Sequence, residues 1–434
     1  MSAKISFITG ASRGIRSEID HAALADRNQF EVTIRKPEAV SKAPPVLAAL
    51  LPIIAVVFIA FLVIGLALPV LPLHVHQGLG LGTFVVGLVA GGQFAASLLS
   101  RFWAGNYADS QGAKRALVTG LLLAAAAGLL YLLSLGYVRE PEISVTILLL
   151  GRAVLGGAES FIVTGAFTWG LALVGPQNTG RIMAWVGTAM YAAFAVGAPV
   201  GTILYVGYGF AAIALATTLI PLVTLLLVAP CRPVAPLPHV RPSFTRVIRA
   251  VWVSGLGLAL SSVGFGAITT FIVLLFAQHG WGQAWLAFTV LSITFMAGRL
   301  IFGHLPDRIG GARIALVCVL IEAAGQALIW LAPGSTLALF GAAVTGFGYS
   351  LVYPGFGVEA VRRVPPESRG LAMGAYTAFL DLALGLANPA LGLVASGASL
   401  GAVFLVSTLV VMCAAAIAVW LLSAPSLATA SGKT

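Results

Sequence analysis

The chain has 434 residues, 59% hydrophobic and 9% charged, with 50 glycines and a mean hydropathy of +1.01. That composition excludes a globule that stays in water and points to a bilayer. The net charge of +10 is no nucleic-acid signal, because the basic residues fall in the loops on one side of the apolar stretches.

In chain order, "ISFITGASRGIR" at residues 5–16 comes first. Thr9, Gly10 and Gly14 after a short apolar run resemble the first turn of short-chain dehydrogenases, whose glycines let backbone approach a pyrophosphate. The third glycine of that fingerprint falls on Arg16, and no parallel sheet follows. Residues 1–45 are read as an appended cytoplasmic tail without cofactor binding, and no other cofactor is implied. Cys231, Cys318 and Cys413 have neither disulfide nor metal spacing, and His74 and His76 lack a third ligand, so no metal site is expected.

From about Val46 the chain divides into stretches long enough to span a bilayer core of roughly 30 Å. Twelve helices are predicted, over 47–72, 83–104, 113–135, 144–172, 182–204, 209–229, 248–276, 283–302, 312–331, 336–357, 369–395 and 400–422. With the N-terminus inside, the cytoplasmic segments hold Lys114, Arg115, Arg181, Arg232, Arg241, Arg246, Arg249, Arg308, Arg313, Arg362, Arg363, Arg369 and Lys433, whereas the opposite loops hold Arg139 alone. Cytoplasmic loops are enriched in Lys and Arg, so this asymmetry supports the count and places both termini in the cytoplasm.

The chain repeats itself. Gly105, Asp109 and Gly112 recur 198 residues later as Gly303, Asp307 and Gly310; further along, Gly156, Pro176, Gly180, Met183 and Pro199 recur at an offset of 190. Two six-helix bundles, 46–229 and 250–423, are expected, with a cytoplasmic linker over 230–249 and a tail over 424–434. The fold class is thus an all-α membrane protein of two pseudo-symmetric bundles.

"GNYADSQGAKRA" and "GHLPDRIGGAR" resemble the G-x-L-a-D-r-x-G-r-[RK] signature of the major facilitator superfamily. "RAVLGGAES" is similar to its membrane-embedded Arg motif, and "VGAPVG" to its antiporter Gly-Pro motif. Other stretches resemble the YhhS/YfcJ-type, sugar-efflux-like subgroup. The resemblance implies a transporter, not an enzyme, in the bacterial inner membrane, read as a monomer. It further implies a conformational latch of Asp109, Arg115, Asp307, Arg308 and Arg313, with tight turns at Gly105, Gly112, Gly303 and Gly310. Tyr107 and Ser110 depart from the signature.

A charge at the bilayer centre costs at least about 2.5 to 3.5 kcal/mol, so an ionisable residue there is a functional candidate. Arg152, Glu159, Glu322 and Asp381 qualify. Arg152 and Glu159 lie two turns apart on nearly one face of a helix, about 10 Å by rise. Desolvation favours the neutral acid and a nearby cation the carboxylate, so protonation there follows conformation. Glu159 is the leading proton site, Arg152 its tuning partner or a charge displaced by substrate, and Asp381 the second site. Glu322 is read as structural, satisfied through Gln326.

In the fold that the resemblance implies, helices 1, 4, 7 and 10 line the cavity. Thr164, Trp169, Tyr349 and Tyr353 are then substrate-binding candidates, with Gln93 and Asn388 reaching inward. This lining suits a small, moderately polar organic solute. Gly197, Pro199 and Gly201, and likewise Pro389, are expected to bend or thin their helices so that the halves pack closely. Proton-coupled efflux of a sugar or amphipathic compound is favoured; import is the alternative, and an oxidoreductase or non-transporting sensor belongs to other classes. The partners are solute, protons and lipid.

Overall fold

The computed structural model describes residues 46–175, 178–230, 244–364 and 369–423; the dehydrogenase-like stretch, most of the linker and the C-terminal tail lie outside them. Among the described residues twelve helices are long and apolar enough to span a membrane: α1 (Leu50–Gly78), α2 (Thr83–Gln111), α3 (Ala113–Leu135), α4 (Pro141–Val174), α5 (Thr179–Tyr208), α6 (Phe210–Val228), α7 (Val247–Gln278), α8 (Trp285–Phe302), α9 (Gly311–Trp330), α10 (Ser335–Arg362), α11 (Leu371–Gly397) and α12 (Leu400–Ser423). Leu99, Phe102, Ile203, Val206 and Leu226 are exposed. Such an apolar exterior is stable where hydrocarbon, not water, is the solvent.

Within the first half α3 packs on α4 and α6, α2 on α4, and α1 on α5 and α6. Within the second, α9 packs on α10 and α12, α7 on α11 and α12, and α8 on α10. The halves meet where α2 lies along α11 and α5 along α8. The repeat relates these two contacts, since α8 repeats α2 and α11 repeats α5. Lipid tails are as apolar as leucine, so association depends on close approach at small residues. Gly156 fits against the Gln93 backbone, where a Cβ would lie 2.9 Å from its carbonyl carbon. Gly87, Gly91 and Gly392 do the same between α2 and α11.

The helix limits agree with the sequence-based spans to a few residues, with three physical differences. α1 continues through a π-type turn, His74–Gly78, and α2 runs on to Gln111 because no residue before Gly112 forces a turn. α10 is interrupted between Tyr349 and Val352. Pro354 has no N–H for the Ser350 carbonyl, which frees the backbone there.

Candidate functional site

The polar residues converge on the α2–α11 contact. Gln93, Ser97 and Arg101 follow each other at four-residue spacing and so share one face of α2. Gln93 Nε2 donates to Glu159 Oε2 on α4 at 2.7 Å. Ser160 Oγ donates to the Ser97 carbonyl at 2.7 Å, and the two serine hydroxyls are 3.1 Å apart. Ser97 Oγ donates in turn to Asp381 Oδ2 on α11 at 3.4 Å. Arg101 Nε donates to the same carboxylate oxygen at 3.0 Å, and its Nη2 also pairs with it. One face of α2 therefore holds the acid of the first half and the acid of the second, through separate bonds.

Arg101 and Asp381 form an ion pair across the halves, with side chains 24% and 3% exposed. Breaking such a pair strands a charge in low dielectric, which costs about 3 to 5 kcal/mol for a fully buried pair. Glu159 is only partly buried and lies within electrostatic reach of Asp381, Arg101 and Arg152. Arg152 makes no direct bond to Glu159; its Nε donates to the Val89 carbonyl at 3.2 Å.

The substrate candidates separate. Tyr349 Oη lies 2.9 Å from Ser262 Oγ, its ring stacked on Phe265. Tyr353 is partly exposed, with Oη 2.7 Å from Thr377 Oγ1. Thr164 is partly exposed, and Trp169 buried. Gln93 is buried beside Glu159, whereas Asn388 is fully buried without a hydrogen-bond partner among the described residues, where α11 meets Gly87 of α2 and Gly266 of α7. Gln326 does not satisfy Glu322: its amide donates to the Gly264 carbonyl and Thr345 Oγ1, and neither Glu322 oxygen has a partner among the described residues.

Asp109, Arg115, Asp307, Arg308 and Arg313 are exposed. Arg115 bonds Gln111 at 2.8 Å, and neither aspartate forms an ion pair among the described residues. Gly112 and Gly310 take φ of +92° and +108°, the left-handed region that favours glycine, and each begins the next helix. Gly105 instead lies inside α2, and Gly303 caps α8. Gly197 and Gly201 fit against Gly65 and Leu66 of α1, so this stretch tightens its own half. Pro389 does lie between the halves, against Gly87 and Gly91.

Hydrogen bonds also join the halves from Thr83 Oγ1 to the Gly392 carbonyl, at 2.9 Å, and from Thr289 Oγ1 to the Ala195 carbonyl, at 3.1 Å. Both lie toward the Thr83 and Gly397 ends. The halves are thus closed at one end, with Arg101 and Asp381 at the base of the closed part.

Sequence reasoning passed over Arg101 and Arg299. They occupy equivalent positions, four residues before the signature glycines Gly105 and Gly303, at the same offset of 198. A base this close to a span end reads as snorkelling to the interface; its recurrence was the available signal.

A family model described as Major Facilitator Superfamily matches residues 53–310 and 255–433. An uncharacterized MFS-type transporter of Salmonella typhimurium is 41% identical over 363 residues, covering 84% of this chain and 94% of the relative. Another, from Burkholderia pseudomallei, is 42% identical over 364 residues, covering 81% and 87%. Among solved structures, a bacterial homolog of the human lysosomal transporter Spinster superposes with a TM-score of 0.65 at 13% identity, covering 87% of this chain and 97% of the other. The E. coli fucose:proton symporter gives 0.61 at 14% identity, with 87% and 99% covered. These two share the fold. The chain belongs to the major facilitator superfamily and is a multi-pass integral membrane transporter of small molecules.

Proposed function

We propose that the protein is a proton-coupled exporter of a small organic solute, working as a monomer by alternating access in the bacterial inner membrane with both termini cytoplasmic. The observation that carries this reading is one face of α2 that holds both acids: Gln93 bonds Glu159, while Ser97, itself bonded to Ser160, and Arg101 bond Asp381 between the halves. A proton gained or lost at Glu159 changes the field at the pair that holds the halves together, and separating the halves changes the surroundings of Glu159. Binding and conformation are thereby linked.

In this reading the closed ends face outward and solute enters from the cytoplasm. Glu159 and Asp381 are the proton sites, and Arg152 tunes Glu159 at a distance. Gln93, Thr164, Trp169, Tyr349, Tyr353 and Asn388 contact solute in the course of the cycle. Asp109, Asp307, Arg115, Arg308 and Arg313, with the glycines of the signature loops, latch the cytoplasmic ends when these come together. The likeness of Gly197, Pro199 and Gly201 to an antiporter motif supports export.

The test is internal pH in proteoliposomes under an imposed proton gradient, with sugars and small amphipathic compounds added in turn. A compound that releases protons down the gradient only when the protein is present is the expected result. Uptake of labelled solute without any proton movement would reject coupling.

A further inference from the structure

Arg299 on α8 is the repeat partner of Arg101, yet its surroundings differ in one respect. Arg101 faces Asp381; the position of α5 that corresponds to Asp381, at the offset of 190, is Tyr191. The α5–α8 contact therefore keeps the cation and lacks the acid. Arg299 packs against Gly187, one turn before Tyr191, and its guanidinium carbon stands 5.8 Å from the centre of the Phe295 ring. Tyr191 stacks on that ring at 3.6 Å. Tyr191, Tyr349 and Tyr353 lie within electrostatic reach of the guanidinium, and phenols carry no charge at neutral pH. Among the described residues no carboxylate pairs with it.

Arg299 is only partly buried, so its donors are reachable. A guanidinium offers a planar fork that fits a carboxylate through two parallel bonds, and a cation in low dielectric without a counter-charge is costly. Phe295, Phe265, Tyr191 and Tyr349 form a continuous aromatic group beside it. We propose that Arg299 is the anion-binding subsite of the transported solute. The substrate class is a small organic carboxylate whose apolar body rests on these rings, and its charge takes the place that Asp381 fills opposite Arg101. The proposal rests on the transporter reading above and assigns its substrate class.

The test is equilibrium binding of benzoate and of benzamide to the purified full chain in detergent, by titration calorimetry. Charge-assisted bonds distinguish the two, so benzoate is expected to bind at least about tenfold more tightly than benzamide. Arg299→Gln removes that preference and Arg299→Lys retains part of it. Tyr191→Asp supplies the missing internal acid and also removes the preference, whereas Tyr191→Asn, which loses the same ring without adding charge, weakens both compounds alike and keeps the preference between them. Equal binding of the two compounds to wild type, no binding of either, or benzoate preference that survives Tyr191→Asp would each overturn the proposal. Solute-driven proton movement by Arg299→Gln in proteoliposomes separates the two claims. Movement that continues with a neutral solute while benzoate preference fails leaves the transporter reading standing without this subsite.

Discussion

Glu159→Gln is expected to abolish solute-dependent proton movement and to leave the protein folded. The amide keeps the size of the acid and can still accept the hydrogen bond from Gln93 Nε2, which spans 2.7 Å in the wild type, so packing of α2 on α4 is preserved. What is lost is the group that binds a proton. Internal pH in proteoliposomes should show coupling reduced by roughly 100-fold or more, the scale on which a positioned proton-transfer group acts. Exchange of labelled solute across the membrane without a gradient should change only a few-fold. Loss of both exchange and thermal stability would instead mark Glu159 as a structural partner of Gln93. Unchanged coupling would move the proton step to Asp381.

A second large effect is expected from Gly87→Leu. A Cβ at Gly87 would lie 2.7 Å from the carbonyl carbon of Asn388 and 2.9 Å from Pro389 Cα, backbone atoms that cannot swing aside. The overlap exists only while α2 lies along α11, so opening the Thr83 end relieves it. Overpacking costs about 1 to 3 kcal/mol, which shifts the balance between closed and open ends by roughly 5- to 150-fold. A cysteine replacing Asn388, fully buried here, reports the shift. Its reaction with an impermeant maleimide added outside should quicken by about tenfold or more when Gly87→Leu is added. An unchanged rate would mean that the helices do not separate at this contact.

Much of this arrangement can be read from residues alone, because the bilayer leaves few alternatives: backbone groups must bond within each helix, so apolar length sets the spans. The repeated Asp109 and Asp307, with Gly112 and Gly310, give the two halves. Glu159 and Asp381 stand out because charge is expensive where they sit. What the residues hide is mutual position. Nothing in the spacing of Arg152 and Glu159 shows that Glu159 bonds Gln93 on α2, or that Arg152 turns to the Val89 carbonyl. Arg101 lies near a predicted span end, and its role appears only once α11 brings Asp381 beside it. Gly197 and Gly201 carry a pattern of close approach without saying to which helix, and the partner is α1 of the same half.

The most direct test of alternating access is a pair of spin-label distances measured in lipid. One pair, at Phe84 and Ser396, reports on the ends of α2 and α11 that are closed here; the other, at Ser110 and Gly374, reports on the opposite ends. All four positions are exposed. On addition of a proton gradient and a transported solute, the first distance should lengthen as the second shortens. Two distances that stay fixed, or that change in the same direction, would contradict alternating access by movement of one half against the other.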